Sequence, residues 1–239
     1  NDAGGIDAVY RSIGGVGAGL ELQGLKNGVG GTATSVLRAT TSGDGQPITI
    51  RPNRDGRGSN FGSVGGAGGG ASPFANLAQD QGGDGGAAST DVEGIALGDS
   101  AVDVEAVAEG GVGGRAGAGG IAGQGGFAIA NATGRNAGSS PVSVLAEARG
   151  GFGGDGSNGS TGSTGGDGAG ASATAYGEST GGGDVTVRAR AIGGGARIGR
   201  AASTFLLNAA SGRTTGALHL VQEVIGGDPI TTSQPGRGG

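Results

Sequence analysis

The chain has 239 residues, 64 of them Gly and only 3% aromatic, carries a net charge of −5, and contains no Cys, Met or Trp. This composition excludes a thick conventional core, a disulfide framework and thiolate metal sites, and its scattered cations form no basic block that would hold nucleic acid. So much Gly reads by default as disorder, because Gly loses the most backbone entropy on folding and buries no side chain, and only periodicity overturns that default.

Periodicity appears at once. The stretch IDAVYRSIGG (6–15) alternates apolar and polar residues, the period of a half-buried strand, and ends in Gly-Gly. TATSVLRATTSG (32–43) and PITIRPNRDG (47–56) alternate likewise, the second weakened by Pro52, which cannot donate to a ladder. AASTDVEGIALG (87–98) precedes AVDVEAVAEGG (101–111), FAIANATG (127–134) precedes PVSVLAEARGG (141–151), and ASATAYGEST (171–180) precedes DVTVRARAIGG (184–194). ASTFLLNAASG (202–212) then leads to ALHLVQEVIGG (217–227), and ITTSQ (230–234) follows as a spare extended segment. The four segments ending in Gly-Gly at 111, 151, 194 and 227 align without gaps, so they are copies of one element. The short connections GDGQ, DS, RNAGS, GGGD and RTTG have turn composition. The expected organisation is one elongated all-β repeat domain of stacked β-hairpins, a β-solenoid, over residues 6–13, 32–54, 87–109, 127–149, 171–192 and 202–225, with a possible extended tail at 228–239. Residues 6–15 read as a second strand without its first, and with no Met at all the chain reads as a processed product or a fragment.

Between the strands the period changes to three. Residues 110–127 divide into GGV GGR AGA GGI AGQ GGF, 150–170 keep the same frame, and 62–79 keep it more loosely. Three residues per turn is the geometry of an extended helix without internal hydrogen bonds, so its amides must bond to neighbours. Collagen would demand abundant Pro, and these triplets contain one between them. Polyglycine II helices, packed so closely that one position in three carries a side chain, fit better. Such a helix rises about 3.1 Å per residue, so a long run overshoots a nine-residue strand of about 30 Å and must go out and back.

The chemistry-bearing residues are few. Gly151–Gly156 fits GxGxxG, but in the hairpin reading it follows no hydrophobic parallel strand, and it opens no helix. Asp84, Asp155 and Asp167 share the sequence GGDG; each is a solvated turn carboxylate, with a bound Ca²⁺ as the alternative. His219, the only histidine, alternates with Leu218 and Leu220 on the outward face of a strand, which rules out a His-based triad or a multi-His site. The pairs Asp103 with Glu105 and Glu178 with Asp184 lack the aromatic platforms a glycosidase uses. Asn131 and Asn158 head formal glycosylation sequons. No apolar run approaches the roughly 18–20 residues of a membrane span, and no cofactor is implied.

The alternating ASATA and VTVRARA strands separated by Gly-Gly linkers resemble the Gly/Ala-rich repeat proteins of Gram-negative bacteria, many of which carry a PEP-CTERM-type sorting signal. The resemblance covers most of residues 30–227, and it implies export to the cell surface or matrix. The sorting motif itself, Pro-Glu-Pro followed by an apolar helix and basic residues, is not in this sequence.

These readings converge on a non-catalytic structural subunit of an extracellular filament or biofilm-matrix fibre, its partners being copies of itself. Each subunit is expected to complete its neighbour's sheet head-to-tail, using Ile6, Ala8, Tyr10 and Ile13 at one end and Ile230, Thr231 and Thr232 at the other. Two alternatives stand. The ends belong to a longer solenoid whose next repeat supplies the partner, or the protein is a surface adhesin or an ice- or glycan-binding module, which calls for regular Thr ranks or exposed aromatics on one face.

Overall fold

The computed structural model describes residues 4–19, 25–54, 60–70, 80–156 and 163–229. Its strands are β1 (Ile6–Tyr10), β2 (Ser12–Ile13), β3 (Ala33–Thr41), β4 (Ile48–Arg54), β5 (Asn60–Phe61), β6 (Ser63–Val64), β7 (Ala88–Ala96), β8 (Val102–Glu109), β9 (Ala128–Asn136), β10 (Val142–Arg149), β11 (Ala171–Ser179), β12 (Val185–Ile192), β13 (Ala210–Arg213) and β14 (Leu218–Ile225). The described residues form no helix, and the fold is all-β as the alternation requires.

The connectivity corrects the hairpin expectation. Apart from a short antiparallel contact of β4 with β5, consecutive strands do not pair with each other. They lie in two facing sheets, one ordered β1-β4-β8-β10-β12-β14 and the other β13-β11-β9-β7-β3, and every neighbouring pair along these two paths is parallel. Equivalent residues stack in register, Val142 beside Val102 and Val185, Ala146 beside Ala106 and Ala189. The physical reason is burial. A hairpin would place the apolar faces of both strands on the same side of one sheet and leave them uncovered, whereas an arch from one sheet to the other lays those faces against each other.

The core between the sheets is thin and its sizes are complementary. Val102 and Val104, with Ile48, face Gly94; Val142 and Val144 face Gly134; Val185 and Val187 face Gly177. A Cβ on Gly177 would lie 2.7 Å from a methyl of each of its two valines. Farther along, Ala106 and Ala108 on one sheet meet larger residues such as Val92 and Thr90 on the other, and all are buried. These small inward positions explain why the strand expected over 202–212 shortens to β13. In the register of β11, Leu206 and Asn208 would occupy positions held there by Ala171 and Ala173. The core has no room for either, Asn208 takes a left-handed φ of 48°, and pairing starts only at Ala210.

The Gly-rich runs form a third layer beside the sheets. In the run after β8, Gly110 and Gly113 donate to Arg149 and Phe152 O of the next run in the same direction, while Gly111 and Gly114 donate to Gly86 and Gly83 O of the preceding return run. The chain turns at Gly119, where φ is 71°, and comes back, Gly123 donating to Gly114 and Gly126 to Gly111. The out-and-back course expected from length is therefore present. A continuous string of bonds, 2.7–3.0 Å long, links Gly227 through Ala202, Gly194, Ala169 and successive runs to Gly15. The approach is so close that a Cβ on Gly113 would run into the Gly123 carbonyl oxygen. Third-position side chains point outward, among them Val112, Ile121 and Phe152, each about half exposed.

One irregularity sits where Pro52 interrupts the repeat. Strand β4 pairs with β8 only over Ile48–Ile50, and β6 resumes only at Ser63–Val64. The backbone of Glu105 to Val107 thus loses a strand partner. The buried Tyr10 hydroxyl fills the gap, donating to Glu105 O at 2.9 Å and accepting from Val107 N at 2.8 Å, and Thr90 Oγ1 donates to Val107 O at 2.7 Å. Burial pushes the phenol far above its ordinary pKa, because a phenolate would be desolvated there.

Two substitutions test this packing. Gly177→Ala overpacks against Val185 and Val187 and should lower unfolding free energy by about 1–3 kcal/mol. Tyr10→Phe leaves the buried Val107 amide without an acceptor and should cost about 1–3 kcal/mol. Urea denaturation measures both, and an unchanged midpoint would contradict the assigned roles.

Candidate functional site

The repeat arrangement leaves its two ends open, and these ends concentrate the unusual residues. At one end lie the edge strands β1 and β3; at the other lie β14 and the short β13. Strand β3, the edge of the other sheet, packs against both β1–β2 and β4–β6, and among the described residues no strand of that sheet lies beyond it.

At the opposite end, β14 carries Leu218, Leu220, Gln222 and Val224 at inward positions where β12 carries Val185, Val187, Ala189 and Ala191. Because β13 spans only four residues, these inward side chains are uncovered, Leu220 at 46% exposure against 0% for Val187. Outward on the same strand stand His219, Val221, Glu223 and Ile225, all at least partly exposed. Beside them the loop that fails to pair leaves Phe205 at 83% and Leu207 at 81% exposure and shapes an open groove of about 380 Å³ against Phe127, Ser172 and Thr174.

Of the residues expected to mediate assembly, Ile13 is exposed, Ile6 and Ala8 are half-buried against the core, and Tyr10 is buried with an internal task. Ile230, Thr231 and Thr232 lie outside the described residues, and at Pro229 the chain still runs beside Ala196 in the glycine layer. The uncovered inward face of β14 was not anticipated, although large residues at 218, 220 and 222 against Val and Ala in the aligned copies are a readable signal.

Outer faces carry ion pairs between neighbouring levels. Arg190 lies 3.3 Å from Glu147 and 3.2 Å from Glu223; Arg38 meets Asp91 at 2.7 Å, and Arg213 meets Glu178 at 2.7 Å. Asp103 is 3.7 Å from Arg51. His219 stands beside Thr186. The columns of the other sheet mix residue types, Thr34, Ser89, Ile129 and Ser172 standing in one of them, so the described residues there form no regular Thr rank.

The three GGDG carboxylates are apart from one another and serve the stack. Asp84 accepts from Gln124 N at 2.9 Å and pairs with Lys26 at 2.7 Å; Asp167 accepts from Arg200 N at 2.7 Å; Asp155 pairs with Arg197 at 3.1 Å. Asp84 and Asp167 thereby cap third-position amides of the next level. At the arches Asp99 does the same, accepting from Ser140 N at 2.7 Å and Ser139 Oγ at 3.0 Å, while Asp44 caps Asp99 N at 2.7 Å. No group of three or more metal-ligating side chains gathers among the described residues. Asn131 projects from the outer face of β9, and Asn158 lies outside the described residues.

Comparison with protein-family models, curated proteins and solved structures finds no match.

Acid should test the carboxylate rungs. Bonds from Ser140 and Ser139 hold the Asp99 carboxyl below its ordinary 3.8. Partial burial pushes Asp84 up, but Lys26 and the Gln124 amide outweigh it, and its carboxyl also falls below the ordinary value. A folded-state pKa below the unfolded one contributes stability above about pH 4 and loses it as pH falls through the folded value. The double variant Asp84→Asn, Asp99→Asn should therefore show a shallower fall in thermal midpoint below about pH 4 than the parent; parallel curves would contradict the assignment.

Proposed function

We propose that this protein is a structural subunit of a secreted bacterial extracellular filament or matrix fibre, without catalytic activity, which assembles head-to-tail by strand complementation. The observation that carries the reading is the pair of open parallel edges. Strands β1 and β14 end the same sheet on opposite sides, each leaving one side of its backbone without a strand partner among the described residues. An open parallel edge of this kind is a template for another chain, and a contact between unlike ends propagates without closing unless its rotation forms a ring. The uncovered Leu218, Leu220 and Val224 give the contact an apolar component.

In this reading the molecule is a β-solenoid and its glycine layer consists of polyglycine II helices. Support comes from bonding toward neighbouring runs on several sides, from the triplet frame and from approaches that admit no Cβ. Export rests on the resemblance to Gly/Ala-rich bacterial surface proteins. The tail residues Ile230, Thr231 and Thr232 are assigned to the β1 end of the neighbouring copy.

The test removes one edge without disturbing the fold. In β14 the carbonyls of Ala217 and Ile225 face β12, so the alternate residues, Val224 included, direct their amides away from it. Val224→Pro deletes one outward donor, a substitution that edge strands tolerate. Expected is loss of filaments by electron microscopy with the β circular-dichroism signal retained; filaments that persist in this variant, and also after deletion of 230–239, would refute strand complementation. Aligned parent filaments should diffract at about 4.8 Å along their axis.

A further inference from the structure

We infer the register of that contact: β14 of one copy pairs in parallel with β1–β2 of the next, Leu218 beside Ile6 through Ile225 beside Ile13. The inference rests on the filament reading and adds to it which residues meet. Its basis is the internal repeat. Ile6 heads the column Ile48, Val102, Val142, Val185, Leu218, and Ile13 heads the column Val64, Glu109, Arg149, Ile192, Ile225. Placing Ile6 after Leu218 continues the first column with another aliphatic residue and brings both Gly-Gly pairs, 14–15 and 226–227, into line.

The side chains then match on both faces. Outward, His219 meets Asp7, Val221 meets Val9, Glu223 meets Arg11 and Ile225 meets Ile13. Glu147, Arg190 and Glu223 already alternate in sign along one column, and Arg11 continues that alternation across the junction. Val9 and Val221 are exposed at 61% and 44%, an apolar pair on a face otherwise rich in charge. Inward, Leu218 covers Ile6 and Leu220 covers Ala8, both half-buried within one molecule.

Backbone polarity agrees. Within the molecule, the amide that follows each second strand donates to the last residue of the next second strand: Gly14 to Val64, Gly65 to Glu109, Gly110 to Arg149, Gly150 to Ile192 and Gly193 to Ile225. By the same rule Gly226 N–H donates to Ile13 C=O of the following copy. Ile6, Ser12 and Gly14 direct their amides at the β4–β6 side, so Asp7, Val9, Arg11 and Ile13 present theirs to the incoming strand. A register shifted by one residue would offer the wrong parity and turn apolar residues to the wrong face. One level farther out the series stops, because Pro229 lies beside Ala196 at a donor position and has no N–H to give.

The absence of native cysteine makes the register directly readable. Val9 and Val221 stand at opposite ends of one molecule, so a disulfide between them forms only between copies. In-register neighbours in adjacent strands have Cα atoms about 4.8 Å apart, within the roughly 4.4–6.8 Å that a disulfide spans, whereas a two-residue offset puts them beyond about 8 Å. Assembled V9C/V221C protein should therefore convert on mild oxidation into covalent ladders in denaturing gels, and V9C/H219C and V9C/E223C should remain mostly monomeric. Six levels per subunit, β1 to β14, also predict an axial rise of about 29 Å by helical reconstruction. Filaments that cross-link through position 219 or 223, or a rise that differs by about 4.8 Å or more, would overturn the register while leaving the filament reading intact. Failure of the parent protein to polymerise would overturn both.

Discussion

Backbone hydrogen bonding between runs that touch at the Cα sets the terms for the rest of this molecule. The string from Gly227 to Gly15 exists only because the residues on it are Gly or Ala, and the opposed pairs, such as Gly113 and Gly123, leave no space for a methyl group. Once the glycine layer advances by one strand spacing per out-and-back pair of runs, the sheets attached to it must advance by the same amount. Parallel, in-register stacking of equivalent strands follows. So does the size of the core, since sheets held this close admit Val against Gly and Ala against Val or Thr, and little else.

A core so thin contributes little burial per residue, and the fold compensates with satisfied polar groups. The amides at third positions are caught by Asp84 and Asp167, the arches are tied by Asp44 and Asp99, and the break at Pro52 is closed by a tyrosine hydroxyl that takes the place of a missing strand. Carboxylates that look like fragments of a calcium loop are thus rungs between levels. The charged residues of the outer faces form ion pairs along the stack axis, where exposed pairs stabilise by a few tenths to about 1 kcal/mol each and chiefly discourage other registers.

Much of this was legible in the sequence. The gapless alignment of 101–111, 141–151, 184–194 and 217–227 located four strands to within a residue, and the triplet frame of 110–127 indicated side-by-side packing and an out-and-back path. What alternation could not convey was the partner of each strand. A turn such as DS at 99–100 serves a hairpin or an arch equally well, and the choice depends on which arrangement covers the Val and Ala face, a property of two strands together. The glycines at 94, 134 and 177 were hidden for a similar reason: a Gly within a strand looks like a weakness until the valine pair it accommodates is known. The lost strand at 202–209 was readable in principle, because Leu206 and Asn208 stand where the other copies have Ala, Ser or Thr.

The two bonding directions within each glycine run have an electrostatic consequence. The first amide of a triplet points toward the C-terminal end of the stack, as Gly113 does toward Phe152, and the second points back, as Gly114 does toward Gly83. Their dipoles oppose each other level by level. An α-helix accumulates about half an elementary charge at each end; here the axial field cancels locally, so lengthening the column adds no end charge and no long-range repulsion or attraction between its tips. The glycine layer carries no ruler of its own.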